Sequence, residues 1–190
     1  MINIKTLDGI GFETIHNAFI KAFADYEEPN QPTLRELKYK IERRGCNLAL
    51  SFGAFDNDEP VGFTLNCIGE WNGQQTAYDT GTGIIKEFRK QGIAKRIFDE
   101  SVPILKQNKV DQYLLEVIKT NTKAFDLYRK TGFEVVREFD YYISSKAGLV
   151  INTTALKDGL TAKEISAPDC ITNFLGFYTI LAEFDKVNKP

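Results

Sequence analysis

The chain has 190 residues, 43% hydrophobic and 26% charged, which is enough for one well-buried core with room for a small appendage. Its 24 Lys and Arg stand against 26 Asp and Glu for a net charge of -2, scattered without a basic stripe, so nucleic acid is not an expected partner. No apolar run approaches the ~20 residues that span a bilayer, and Met1-Ile2-Asn3-Ile4-Lys5 lacks the basic and apolar regions of a leader, so a cytoplasmic protein away from the membrane is expected.

In chain order, Ile2-Asn3-Ile4 reads as a short strand, followed by a helix over 12–24 with Ile15, Ala18, Phe19 and Ala22 at helical spacing. This helix carries His16, the only histidine, as a surface or half-buried imidazole, which excludes a three-histidine metal site; no metal is expected. The acidic loop 25–30 contains Asp25, Glu27 and Glu28, carboxylates able to attract a cationic amine or simply to remain solvated. A second helix spans 33–44, with Thr33 as N-cap and Glu36 three residues on as a capping box.

Three β-rich runs follow, at 48–55, 61–68 and 76–85, separated by the short polar turns 56–60 and 70–73, which favour antiparallel hairpins. The pattern then alternates: helix from Lys90 to about Lys106, strand 113–118, helix 122–130 and strand 133–143. Strand-helix-strand alternation implies a right-handed parallel crossover joined to the antiparallel part. The fold class is α/β (α+β), a mixed, mostly antiparallel sheet with flanking helices. Pro103 should bend the last turn of its helix. Cys46, Cys67 and Cys170 are odd in number and far apart, with neither CxxC nor ligand spacing, and read as reduced, mostly buried thiols.

The turn Arg89-Lys90-Gln91-Gly92-Ile93-Ala94 opens a helix. Free backbone N–H groups at such a start, with the helix dipole, can hold a pyrophosphate. Gly92 lets the backbone approach a phosphate, Ala94 keeps the next turn narrow, and Lys90 and Lys95 add cationic side chains. Alone, the pattern R-x-x-G-x-A is also that of an ordinary turn.

With the later segment Leu115-Glu116-Val117, Asn121, Ala124, Leu127-Tyr128 and Gly132-Phe133, the turn resembles the GCN5-related N-acetyltransferase family. The resemblance covers about 48–142 well and the first helices loosely. It implies the acyl-CoA N-acyltransferase fold of about seven strands, with acetyl-CoA as co-substrate. It further implies that strand 76–85 diverges from strand 113–118, so that Thr82, Gly83 and Ile84 pair with the pantetheine arm. By the same resemblance Arg89, Lys90, Gln91, Gly92, Ile93, Ala94 and Lys95 surround the pyrophosphate, and Asn121 contacts the cofactor arm.

In that family a tyrosine matching Tyr128 protonates the departing thiolate, and a phenol with pKa ~10 stays protonated until it does so. An acceptor amine must lose a proton before attack, so a carboxylate near the cleft serves as base. Some protein N-terminal acetyltransferases have a glutamate matching Glu116 in that role. Asp79 is the competing base, and a water chain could serve both.

Lys90 stands where the family often has glycine and Lys86 where it often has proline, while Ala94 is an accepted alternative. An acetyltransferase domain is expected over 1–155, with 156–190 as an extension of unknown role. The extension's Ile171, Phe174, Leu175, Tyr178, Leu181 and Ala182 form a helical stripe. The sequence leaves the amine acceptor open between small molecule and protein, and a homodimer open as well. The alternative function is a non-catalytic acyl-CoA-binding or regulatory module; a third is an unrelated phosphate-binding α/β protein.

Overall fold

The computed structural model describes residues 1–26, 31–142 and 174–183. Seven strands form one sheet in the order β1-β2-β3-β4-β5-β7-β6. They are β1 (Ile2–Thr6), β2 (Phe52–Asp56), β3 (Glu59–Trp71), β4 (Gln74–Ile84), β5 (Gln112–Ile118), β6 (Glu134–Tyr142) and β7 (Phe174–Glu183). Only β4 and β5 pair in parallel; the other neighbours are antiparallel.

Helices cover both faces. On one, α1 (Phe12–Phe23) and α2 (Leu34–Arg43) bury Ile15, Phe19, Ala22, Leu37 and Ile41 against Phe55, Phe63 and Leu65. On the other, α3 (Ile93–Gln107) and α4 (Thr122–Lys130) set Phe98, Leu105 and Tyr128 against Ala77, Tyr113, Leu115 and Val117. Alternation along β3 and β5 sends neighbouring residues to opposite layers. Each fully buried phenylalanine contributes about 1.5–3 kcal/mol, so these two apolar layers fix the height at which the helices sit.

The capping box of α2 is present: Thr33 accepts from the Glu36 N–H, and the Glu36 carboxylate accepts from the Thr33 N–H. His16 Nε2 lies 2.8 Å from the Pro32 carbonyl, tying α1 to the segment before α2. The helix expected from Lys90 begins at Ile93, because Lys90 (φ 63°) and Gly92 (φ 73°) are left-handed. It continues through Pro103 to Gln107. In the expected strand 48–55, Leu48–Leu50 is a 3-10 turn instead, capped by the Asn47 side chain on the Ala49 N–H.

Two expectations are corrected. The helical stripe of the extension is strand β7, seated between β5 and β6 with backbone partners on both sides. A strand paired on both edges is often apolar nearly throughout, and a helical period can be picked from such a run. Ile171 of that stripe lies outside the described residues.

The second correction concerns the thiols. Cys46 and Cys67, 21 residues apart, oppose one another as an isolated antiparallel bridge and are joined as a disulfide. No spacing rule anticipates this, because the end of α2 and the middle of β3 meet only in the folded chain. Cys170 lies outside the described residues.

Candidate active site

The cleft is a consequence of strand geometry. β4 and β5 are paired only from Thr76↔Gln112 to Asp79↔Leu115. At that level the β3–β4 register slips between Leu65/Asn66, and the extra residue in β4, Thr80, turns the strand away from β5. β5 runs straight on to Ile118 beside β7. Beyond Asp79, β4 therefore presents an edge with no strand partner among the described residues. The Ile85 N–H bonds the Val61 carbonyl at 2.9 Å, so by alternation the N–H groups of Ile84 and Thr82 face the open side.

Gly83 lies on this edge, but its missing side chain serves packing. A Cβ there would meet the Ala22 methyl at 2.9 Å and the Phe63 ring at 3.1 Å. The bulge lies three residues earlier, at Thr80. Gly83 thus lets α1 close on the sheet.

At one end of the cleft is the start of α3. Two left-handed residues, Lys90 and Gly92, precede it, and Gly92 supplies no side-chain cap. The first intrahelical bond is from the Arg96 N–H to the Gly92 carbonyl, so the N–H groups of Ile93, Ala94 and Lys95 have no hydrogen-bond acceptor among the described residues. A run of uncapped N–H groups at the positive end of a 15-residue helix is suited to a phosphate. The Lys90 side chain is exposed beside it, while the Lys95 amine is 2.6 Å from Asp99. The Gln91 amide bonds the Glu87 carbonyl.

The side chain of Arg89, expected at the pyrophosphate, faces elsewhere. Its guanidinium donates to the Ile84 carbonyl at 2.9 Å, to the Ala22 carbonyl at 2.8 Å and, in bidentate fashion, to Asp25 at 2.8 Å. It clamps α1 to β4. A fork of fixed donors matches a carboxylate better than any other pairing on offer, so the acid of the 25–30 loop captured it. Asp25 is thereby held below the usual carboxylate range and is not available to attract an amine. Glu27 and Glu28 lie outside the described residues.

Under the open edge is a polar network on the α3/α4 face. The Thr82 hydroxyl donates to Asp79 Oδ2 at 2.6 Å and lies 2.8 Å from the Thr64 hydroxyl. A second Asp79 oxygen accepts from the Gly81 N–H at 2.8 Å. Tyr113 joins through Asn66 Oδ1 at 2.5 Å and Thr64 at 3.2 Å. Tyr128, on α4, is buried beside this network: the Asp79 charge raises its phenol and Thr82 lowers it. The Thr82 hydroxyl, with one proton and two lone pairs, donates to Asp79 and can accept from Thr64.

Burial drives the protonation states here. It pushes the Asp79 carboxyl up to about 6, against the bonds from Thr82, Gly81 and Thr64 that favour the anion. The Tyr128 phenol is raised well above its ordinary value by burial, then by the Asp79 charge and Tyr26; only Thr82 works the other way. Tyr128 therefore stays protonated, against the edges of Phe98 and Phe133 with ring centroids 5.6 and 5.7 Å away.

Glu116 belongs to the opposite face. It lies two residues beyond Leu114, the parallel partner of Tyr78, and accepts a hydrogen bond from the Tyr78 hydroxyl at 3.0 Å. Burial and the Glu116 charge raise the Tyr78 phenol above its ordinary value. Arg137 approaches the other Glu116 oxygen at 4.0 Å. From α2, Arg44 donates to the Thr80 hydroxyl at the bulge.

Asn121 is the N-cap of α4, its side-chain oxygen accepting the Ala124 N–H at 3.2 Å. The fold thus brings Thr82 and Asp79 together beside Tyr128, and sets Glu116 apart from Asp79 on the opposite face of the sheet. Sequence reading missed Tyr78, Thr64, Asn66, Tyr113 and Arg44. The only signal for Tyr78 was its place next to Asp79; its link to Glu116 needs the β4–β5 register. No group of three or more metal-ligating side chains exists among the described residues.

With this geometry in hand, comparison with known proteins is informative. A family model described as Acetyltransferase (GNAT) family matches residues 12–133. The chain is 32% identical over 90 residues to N-alpha-acetyltransferase 60 of Danio rerio, covering 46% of this chain and 34% of that protein. It is 31% identical over 97 residues to N-alpha-acetyltransferase 30 of Schizosaccharomyces pombe, covering 50% of this chain and 64% of the relative. The chain thus spans less than two thirds of the length of either relative.

Among solved structures, the ribosomal-protein-S18-alanine N-acetyltransferase from Escherichia coli superposes with a TM-score of 0.68 at 13% identity, covering 100% of this chain and 97% of that one. Arabidopsis thaliana NAA60 in complex with a bisubstrate analogue gives 0.63 at 17%, covering 97% and 99%. Both share the fold.

Proposed function

The chain belongs to the acetyltransferase (GNAT) family, and from that we propose that it moves the acetyl group of acetyl-CoA to a primary amine by direct attack in a ternary complex. The observation that carries this reading is the buried, protonated Tyr128 phenol, raised by the Asp79 charge of the Asp79–Thr82 pair on β4, with a second acid–phenol pair, Glu116 and Tyr78, across the sheet. A binding module would need the cleft but neither proton-handling arm.

The uncapped N–H groups of Ile93, Ala94 and Lys95 would hold the pyrophosphate, with Lys90 beside them. The outward N–H groups of Thr82 and Ile84 would bind the pantetheine arm and polarise the thioester carbonyl as an oxyanion hole. Asn121 would offer its amide nitrogen to the arm.

Glu116 takes the proton from the acceptor ammonium, directly or through water, and Tyr78 keeps that carboxylate in position. The neutral amine attacks the carbonyl carbon, the carbon–sulfur bond breaks toward sulfur, and Tyr128 gives its proton to the thiolate. The Tyr128 phenolate is then reprotonated at the expense of the Asp79 carboxyl, whose charge acts on that phenol, through Thr82 or water. A carboxyl that titrates at about 6 can hold that proton and give it up near neutrality. Asp79 is thus assigned to the leaving-group side and Glu116 to the amine side. No covalent enzyme intermediate is needed.

Two curated relatives are named N-alpha-acetyltransferases, which supports the N-terminal amine of a peptide as acceptor. The test is free-thiol release from acetyl-CoA across a panel of peptide N-termini, polyamines and small amines. Amine-dependent thiol release supports transfer; tight acetyl-CoA binding without release for any amine supports the binding module instead.

A further inference from the structure

At the end of α2, Lys40 and the C-cap residue Arg44 have no carboxylate partner among the described residues. Lys40 and Arg44 lie one turn apart, on the stripe that buries Leu37 and Ile41, and so both look toward the sheet. Like charges at that spacing destabilise a helix. Burial lowers the Lys40 ammonium below its ordinary value, and Arg44 lowers it further. The acids of α2 are committed elsewhere: Glu36 closes the capping box and Glu42 lies 3.9 Å from Lys38.

The helix dipole favours a cation at this end, but Arg44 does not reach back to the last carbonyls. Its guanidinium extends over the sheet to the Thr80 hydroxyl at the bulge, beside the point where the cleft opens. There it lines a cavity of about 330 Å³ with Cys67, Ile68, Gly69 and Tyr78. The phenol of that same Tyr78 holds Glu116. An anion in this cavity would therefore be separated from the base by a single tyrosine ring.

We propose that this cavity binds a carboxylate carried by the acceptor, so that the preferred substrate is a primary amine with an acidic group close to its nitrogen. Arg44 has guanidinium N–H groups left after bonding Thr80 and can form a forked pair, while the Lys40 amine lies 6.0 Å from the centre of the Phe19 ring. The proposal rests on acetyl transfer to an amine at Glu116. The carboxylate could be that of a free amino acid or of an acidic residue at a peptide N-terminus.

The test uses the full chain with acetyl-CoA and four acceptors: a peptide with Asp or Glu at its first or second position, its Asn or Gln counterpart, its Lys counterpart, and free glutamate. The account expects kcat/KM for the acidic peptide to exceed that of the amide counterpart by about tenfold or more, as a charged hydrogen-bonded pair implies. Arg44→Gln should shrink that ratio, with Arg44→Lys keeping part of it. Preference for free glutamate over the acidic peptide would assign the carboxylate to an amino acid, and the reverse to a peptide. Direct calorimetric binding of the acidic peptide to the CoA-loaded protein is measured alongside. Transfer at equal efficiency to acidic and amide peptides, unaltered by Arg44→Gln, overturns the subsite while upholding transfer. Arg44-dependent binding of the acidic peptide without transfer upholds the subsite and overturns the function. Neither binding nor transfer overturns both.

Discussion

Replacing Asp79 by Asn should flatten the pH dependence of stability. The carboxyl titrates near its ordinary 3.8 when unfolded and at about 6 when folded. The folded protein therefore binds more protons between those values, so the stability from this group is complete below 3.8 and is lost as pH rises through about 6. The gap corresponds to about 3 kcal/mol in full, of which about 1.4 kcal/mol falls between about pH 5 and about pH 8. In Asp79→Asn the side-chain oxygen can still accept the Gly81 N–H, and the amide can donate to Thr82. No charge is then buried at any pH. Urea denaturation of both proteins at the two pH values gives a difference of differences in which every other titrating group cancels. The wild type should lose about 1.4 kcal/mol more than the variant over that interval, and the variant should be the more stable at the higher pH. Parallel profiles would refute the buried, proton-holding Asp79 and with it the supply line to Tyr128.

Further expectations concern individual parts. Tyr128→Phe should lower kcat by about 10²-fold or more with little change in the affinity for acetyl-CoA, measured by steady-state kinetics and calorimetry. Glu116→Gln should lower kcat/KM for the amine by a similar factor, and the loss should shrink at higher pH as more of the amine arrives neutral. Gly83→Ala should cost about 1–3 kcal/mol in urea denaturation, because the Ala22 methyl at 2.9 Å belongs to a helix that cannot yield easily. Gly92→Val, at φ 73°, should weaken acetyl-CoA binding in calorimetry while leaving the Tyr128 arm intact.

Elements whose signal is local were legible in the sequence. The capping box at Thr33 and Glu36, the stripes of α1 and α3, and the hairpins of β2 to β4 all follow from short-range pattern. The place of the α3 turn was legible, but its left-handed Lys90 and Gly92 were not, and they move the helix start from Lys90 to Ile93. What required the folded chain was missed. Tyr78 meets Glu116 only through a parallel register spanning more than thirty residues, and Tyr128 joins Ala77 and Leu115 in one core only once α4 packs on the sheet. Arg89 carried the family pattern, yet its side chain was claimed by Asp25, a partner 64 positions away. β7 was misread because its apolar run has no single period, and the Cys46–Cys67 bridge because neither residue has a neighbour in sequence that points to the other.

The account stands most directly on whether acetyl leaves CoA for an amine through Tyr128. Mass spectrometry of a peptide incubated with acetyl-CoA and the full chain, with thiol release followed in parallel, measures both halves of the reaction. The expected result is one acetyl group on the amine for each thiol released, at a rate about 10²-fold lower for Tyr128→Phe. Acetyl-CoA bound by the wild type with neither product formed, or turnover unchanged in Tyr128→Phe, would contradict it.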